Sequence, residues 1–355
     1  MDRPYIERLH IQNYGCIQDA TFALTPLHAL IGPNDSGKST VLRALRTLTF
    51  LIAERSTSQE TEALSRAILG TKTKVTTALA ASTATWTFQF FSQEHGNYEV
   101  SSIDRLGSVT NKIGFSIHPG HWPGLRGTTP ELKRALGGSQ ILRLDPDALR
   151  APNALIPQEN PLHFLDERGT GLAALYDAIM VRDLPAFLRL NEELSQIFPN
   201  VKSISLINPT PTKKAMGVKL VDGTYVPAEL MSEGLLYYLA FAALPHLDPK
   251  AILLIEEPEN GLHPARISEV MRVLREISKT TQVLIATHSP LVINELQGDE
   301  VTVVTRSREH GTKATLMKDT PNFEERSKVY ALGELWVSYA NGEDEAPLLQ
   351  GGPRP

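Results

Sequence analysis

The chain has 355 residues, 41% of them hydrophobic and 21% charged, which suits a globular protein of one large domain or two modest ones and excludes disorder on a large scale. A formal net charge of −5 gives no global electrostatic footprint for nucleic acid, so binding of that kind needs a local basic patch. The single cysteine, Cys16, excludes an intrachain disulfide framework and cysteine-rich zinc sites, and reads as a small buried hydrophobe. With no apolar leader run in MDRPYIERLH and no stretch of 18 uncharged apolar residues, the expectation is a cytoplasmic protein without a membrane partner.

Strand-like runs come first, over 6–11, 17–24 and 27–31, the last stopping at a glycine. The segment 39–52 then spaces Val41, Leu42, Leu45, Leu48 and Leu51 three and four apart, which predicts a helix with one buried face. Residues 55–75 are polar and read as a loop with a short helix; ATWTFQFF, 84–91, reads as a strand. From 111 to 200 the pattern predicts a mostly helical insert. It opens on the Gly/Pro-rich IHPGHWPGLRG and continues with a helix capped by Thr129, begun by Pro130 and stopped by Gly137, then helices near 170–182 and 184–198. KSISLI and MGVKLVDGTYV read as strands, the second folded at Asp222-Gly223, a hairpin signal. A helix over 232–244 leads to the apolar run AILLI, followed by a helix with Ile267, Val270, Met271, Leu274 and Ile277 on one side, and then by the strand QVLIAT. Continuous apolar strands separated by a helix predict a parallel sheet covered on both faces. The expected division is 1–110, 111–200, 201–320 and a tail over 321–355.

GPNDSGKST fits the phosphate-loop pattern, and it lies after a predicted strand and before a predicted helix, as the chemistry requires. Gly32, Pro33, Asn34, Asp35, Ser36, Gly37, Lys38, Ser39 and Thr40 are the candidate nucleotide-binding residues. The glycines let the backbone wrap a triphosphate, N–H groups at the helix start donate to its oxygens, Lys38 adds positive charge, and the Ser39 hydroxyl is a Mg²⁺ ligand. A second buried strand should carry a carboxylate to that metal. ILLI followed by Glu256 has this form, with Glu where Asp is commoner. Glu257 is the candidate base for the water that attacks the γ-phosphate, and Glu259 reads as facing solvent or a partner subunit. Beyond QVLIAT, His288 is placed to sense the γ-phosphate, with Ser289 as the cap of a helix begun by Pro290. Ser232 and Gly234 open another helix, where Ser232 is either a plain N-cap or part of an anion site.

In this order, IGPNDSGKST, MSEGLLYYLAF, ILLIEEPENGLHP and QVLIATHSP resemble the phosphate loop, signature segment, Walker B plus D-loop, and switch histidine of the ABC-type ATPases of the SMC/RecF/OLD group. ERLHIQNYGCIQDATFAL and FLDERGTGLAALYDAI add to the resemblance. It implies an α/β fold, a P-loop NTPase with an ABC-type head: a mixed sheet with a parallel core, an antiparallel β lobe, and the helical insert. It also implies an Mg²⁺-dependent ATPase forming a homodimer, with ATP held between the phosphate loop of one copy and Ser232, Glu233 and Gly234 of the other, and Asn260 and Gly261 near the seam.

Glu233 stands where the second glycine of the signature is usual, and the glutamine loop has only Gln89 as a candidate. The compact insert replaces the long coiled coil of SMC proteins, and about 45 residues follow the last core strand, too few for the nuclease domain of OLD proteins. Asp145 and Asp147 form an isolated Asp-x-Asp, read as a turn, and His118 and His121 lack companion ligands. The expected role is an ATP-driven switch or motor for a separately encoded effector, a nuclease or toxin, in nucleic-acid processing or phage defence. The alternatives are a RecF-like DNA-repair clamp and a transporter's energy-coupling subunit. The basic positions Arg126, Lys133, Arg134, Lys213, Lys214, Arg266, Arg272 and Arg275 are scattered, which weighs against autonomous DNA binding. In the tail, Trp336 and Tyr339 read as docking on the core or, as the alternative, on a partner.

Overall fold

The computed structural model describes residues 4–52, 73–79, 85–93, 97–103, 109–116, 130–307 and 311–340. Thr129, the Gly/Pro-rich loop with His118, His121 and Arg126, residues 55–72 and the chain from 341 onward lie outside the described residues. The elements in chain order begin with β1 (Ile6–Tyr14), β2 (Ile17–Ala23), β3 (Leu27–Ile31), α1 (Lys38–Ile52), β4 (Thr73–Leu79), β5 (Thr85–Gln93), β6 (Asn97–Ile103), β7 (Val109–Ser116), α2 (Pro130–Leu136) and β8 (Ser139–Leu142). Next come α3 (Pro146–Arg150), β9 (Asn153–Ala154), α4 (Leu172–Arg182), α5 (Leu184–Ile197), β10 (Val201–Thr210), β11 (Lys213–Leu220), β12 (Tyr225–Pro227) and α6 (Glu233–Ala243). The remainder is β13 (Ile252–Glu256), α7 (Pro264–Ile277), β14 (Gln282–Thr287), α8 (Pro290–Asn294), β15 (Val301–Ser307), β16 (Gly311–Leu316), α9 (Phe323–Arg326) and α10 (Leu332–Ala340). Residues 73–75, expected in a loop, start β4.

Contacts divide the chain into two units: residues 1–141, 250–257 and 278–355, and residues 142–249 and 258–277. These boundaries differ from the expected ones, because 201–249 and the helix α7 group with the insert.

The first unit holds two six-stranded sheets. One is antiparallel, in the order β2-β1-β4-β5-β6-β7; the other runs β16-β15-β3-β14-β13-β8, with β13, β14, β3 and β15 parallel and β16 antiparallel to β15. The alternation in β1 buries Ile6, Leu9, Ile11 and Tyr14, whereas β3, β13 and β14 are buried at every position, the mark of strands covered on both faces. One apolar cluster joins the antiparallel sheet (Ile11, Phe22, Val75), α1 (Val41, Leu42, Leu45, Leu48) and the parallel sheet (Leu30, Leu254, Leu284). The helix α1 is thus held by its apolar stripe. His28 lies fully buried in β3, its ring nitrogens 2.8 Å from Thr302 Oγ1 and 3.1 Å from Thr25 Oγ1. Burial pushes its pKa down to about 3. Near the end of the described chain, Trp336 is buried on α10, which packs against α8, as the docked reading of the tail expects.

The second unit packs α3–α7 with an antiparallel sheet of β10-β11-β12, to whose β11 the short β9 also pairs. The expected hairpin forms at Asp222-Gly223, where Gly223 takes φ +89° and the Asp222 carboxylate accepts from the Thr224 N–H at 2.8 Å. Asp183 starts α5 by accepting from Ala186 N–H at 3.0 Å, with Pro185 in the first turn. Among the described residues no helix is long and apolar enough to cross a membrane.

Candidate active site

Strand register brings the first-unit candidates together. Ile31 pairs with Thr287, and Ala286 pairs with Glu256, so β3, β14 and β13 end side by side at their carboxyl ends. Gly32, His288 and Glu257 leave that shared edge, the place where open parallel sheets bind ligands.

The phosphate loop bends tightly after β3. A methyl group at Gly32 would sit 2.0 Å from the Val304 carbonyl oxygen, which restricts this position to glycine. Asp35 at φ 63° and Gly37 at φ +112° complete the turn into α1. Pro33, Asn34 and Asp35 are exposed, while Ser36, Gly37 and Lys38 are buried. Lys38 reaches back across the loop, its Nζ donating to the carbonyl oxygens of Gly32 at 2.8 Å and Pro33 at 2.9 Å. The Ser36 hydroxyl is buried without a hydrogen-bond partner. An ammonium lying along the loop and an unsatisfied hydroxyl are both donors suited to phosphate oxygens, so the loop's own groups fit a nucleotide's phosphates. Ser39 is half-buried in the first turn of α1, whose N–H groups have no acceptor within the helix. Thr40 turns its hydroxyl to Cys16 Sγ at 3.3 Å, which leaves its backbone N–H as the group it offers. Cys16 itself is half-buried in the β1–β2 turn rather than fully buried, its sulfur covered on one side by Gly37 and Thr40 at the start of α1.

Glu256 closes β13 and is buried. The next residue donates its N–H to the Ala286 oxygen at 2.7 Å, extending the sheet one step beyond β13. Glu257 does so in the left-handed region, φ 49°, a conformation costing on the order of 1–3 kcal/mol for a residue with a side chain and concentrated at functional sites. Its carboxylate oxygen Oε2 lies 2.6 Å from His288 Nδ1, close enough for an ion pair when the ring is protonated, but the two groups are not aligned as a hydrogen bond and the oxygen is buried without one. His288 is 60% exposed and Glu257 23%, so the pair has one side in the sheet and one toward solvent. Sequence spacing assigned these residues separate roles and gave no sign of their contact; only the parallel register of β13 and β14 reveals it. Ser289 begins α8 but its side chain makes no capping bond, contrary to expectation; its N–H is instead held by Thr287 Oγ1 at 2.9 Å.

In the second unit, Ser232 precedes α6 with its carbonyl accepting from Leu235 and Leu236, both at 3.2 Å. Its exposed hydroxyl makes no capping bond, which removes the plain N-cap reading. Glu233 is also exposed and Gly234 half-buried. Gly234 packs on the D-loop backbone: a methyl group here would meet the Gly261 oxygen at 3.0 Å. Gly261 in turn takes φ +69°, and a methyl group there would lie 2.3 Å from the Tyr237 ring. Asn260 is exposed beside it. The segments around Gly234 and Gly261 are therefore built as one surface, a contact that their 27-residue separation hid in the sequence.

Other candidates have structural partners. Asp145 caps α3, accepting from Asp147 N–H at 3.0 Å and Ala148 N–H at 3.1 Å, and pairs with Arg168 at 3.1 Å; these bonds hold its carboxyl below the usual range against the opposing effect of burial. Among the basic positions, Lys214 pairs with Asp177 at 2.7 Å and Arg272 with Glu269 at 3.4 Å.

The sequence profile of a family described as "AAA domain, putative AbiEii toxin, Type IV TA system" matches residues 27–294. The chain is also similar to the OLD nuclease of Thermus scotoductus (strain ATCC 700910 / SA-01), 45% identical over 40 residues, which are 11% of this chain and 8% of that protein. The match thus spans a small fraction of that relative's length. Its fold is similar to the SmcHead solved bound to the C-winged helix domain of ScpA, with a TM-score of 0.53 and 16% identity over 88% of this chain and 97% of that one. The family match over residues 27–294, most of the chain, shows that this chain belongs to the AbiEii-type AAA-domain family, and its fold is that of an SMC head.

Proposed function

We propose that the chain hydrolyses ATP with Mg²⁺ and does so as a homodimer that switches a separately encoded effector, a nuclease or toxin. The observation that carries the catalytic reading is the Glu257–His288 pair, 2.6 Å apart at the sheet edge where the phosphate loop also begins. Lys38 and the first-turn N–H groups of α1 hold the phosphates, and Ser39 and Glu256 are the residues that would ligate the metal. Bound Mg²⁺ would supply the positive charge that lets the adjacent carboxylates of Glu256 and Glu257 coexist beside a triphosphate. Glu257 orients the attacking water and accepts its proton, while His288, beside that carboxylate, reports on the terminal phosphate. A second copy contributes Ser232, Gly234 and the D-loop, which are exposed or half-buried and form one surface. The family's toxin–antitoxin description and the nuclease named among its relatives support an effector acting on nucleic acid or in phage defence. Asp145 is spent on a helix cap, so the Asp145 and Asp147 pair is not proposed as a nuclease site. A RecF-like clamp is the weaker reading, because Lys214 and Arg272 are engaged by carboxylates.

Phosphate release measured at saturating Mg²⁺ and ATP tests the assignment. Glu257→Gln should lower kcat by roughly 10²-fold or more while nucleotide still binds, the scale of a lost general base, and Lys38→Ala should lose nucleotide binding. A Glu257→Gln protein that turns over at the parent rate removes Glu257 from the chemistry.

A further inference from the structure

The second unit contains an open cleft of about 450 Å³ whose walls include Ser232, Gly234, Gly261, Phe198, His263 and Arg266. Three of these were given no role with the signature. The Arg266 guanidinium lies over the Phe198 ring, 5.1 Å from its centroid, and among the described residues no carboxylate pairs with it. A cation seated over a ring in this way is braced by the aromatic face and keeps its N–H donors for an oxyanion. His263 Nδ1 accepts from the Ala265 N–H at 3.2 Å, so the hydrogen of the neutral ring sits on Nε2 and makes that atom a donor. Ser232 adds a hydroxyl released from capping, and the close packing of Gly234 on Gly261, and of Gly261 on the Tyr237 ring, brings these two backbones together at the cleft. The cleft offers a cation and several donors, which selects an anion with several oxygens.

Charge balance narrows the choice. Glu233, exposed in the same turn, puts a carboxylate where a glycine is usual in the signature. A triphosphate approaching Ser232 then meets repulsion that hydroxyl and backbone dipoles alone do not offset, and a nearby cation is required. Arg266 is that cation.

We propose that this cleft grips the triphosphate of a nucleotide carried on the phosphate loop of a second copy, with Arg266 braced on Phe198 as the charged contact and His263 Nε2–H as a further donor. The proposal rests on the dimer reading and adds the residues that make it work with Glu233 in the signature. Its test uses the full chain carrying Glu257→Gln, with molar mass followed by sedimentation as Mg²⁺-ATP is titrated. Adding Arg266→Ala should raise the ATP concentration for half-dimerisation at least tenfold, Arg266→Lys should recover part of the loss, and Phe198→Leu should fall between. Nucleotide affinity of the dilute monomer and the melting midpoint are read alongside as controls for folding. Dimerisation of the Arg266→Ala protein at the parent ATP concentration overturns the proposal, as does an equal loss of affinity in the monomer. If Arg266→Ala still dimerises but no longer retains a short oligonucleotide, the cleft serves nucleic acid and the proposal is wrong. Failure of the Glu257→Gln parent to dimerise at all is a different result, which removes the dimer reading itself.

Discussion

Replacing Gly32 by alanine puts a methyl carbon 2.0 Å from the Val304 carbonyl oxygen, 3.1 Å from that carbonyl's carbon and 2.9 Å from Ser36 Oγ. The Ser36 hydroxyl can rotate away. The Val304 oxygen cannot, because β15 is pinned to β3 through the Thr302–Leu30 and Val303–Ile31 pairs. Relief therefore requires the loop to retreat by roughly 1 Å, the difference between this contact and ordinary van der Waals separation. Overpacking of this kind costs about 1–3 kcal/mol, and the upper part of that range applies where both atoms belong to the backbone. The displaced loop also misaims its N–H groups and Lys38. Losing two charge-assisted hydrogen bonds to phosphate, at ~1.5 kcal/mol each, weakens nucleotide binding by on the order of 10²-fold. A matched control is Gly223→Ala, where a methyl group meets nothing within 4 Å and only the φ of +89° is unfavourable. It should cost ~1 kcal/mol of stability and leave nucleotide affinity alone. Urea unfolding and equilibrium binding of a fluorescent ATP analogue give both quantities. A Gly32→Ala protein whose affinity stays within about threefold of the parent would refute the reasoning, since that is less than ~0.7 kcal/mol.

Acid sensitivity is expected from His28. Its folded pKa of about 3 lies below the ordinary 6.5, so between these values the unfolded chain binds the extra proton; the contribution is complete above pH 6.5 and is lost as pH falls toward 3. The slope is at most about 1.4 kcal/mol per pH unit, and urea midpoints between pH 4.5 and 6.5 should show it reduced in His28→Asn. Asp177→Asn leaves the Lys214 ammonium without its partner at 14% side-chain exposure, which should cost about 2 kcal/mol, between the surface and buried limits. Adding Lys214→Met should recover most of that loss in the same unfolding assay, and no recovery would mean that Asp177 acts through something other than this pair.

Legibility in the sequence followed how local each signal was. The phosphate loop, the buried strands and the helix stripes are local patterns, and β3, α1, β13 and β14 stand close to their predicted positions. The hairpin at Asp222-Gly223 was equally visible because two turn residues specify it. Domain division was less visible: the helical pattern of 264–277 says that a helix forms, but not that it belongs with the insert. At the site, each carboxylate and histidine could be named from its position after an apolar strand. The Glu257–His288 contact could not, because it depends on the register between strands nearly 30 residues apart. The same holds for Arg266 on Phe198, where a scattered basic residue in the sequence becomes a braced cation in the fold.

The central claim is that a second copy of the chain completes the ATP site. Its most direct test is the molar mass of the Glu257→Gln protein, measured with and without Mg²⁺-ATP at fixed concentration. The account predicts the monomer mass of 39.1 kDa without nucleotide and twice that mass with it. A protein that stays at the monomer mass in both conditions, while shown to bind ATP, contradicts it.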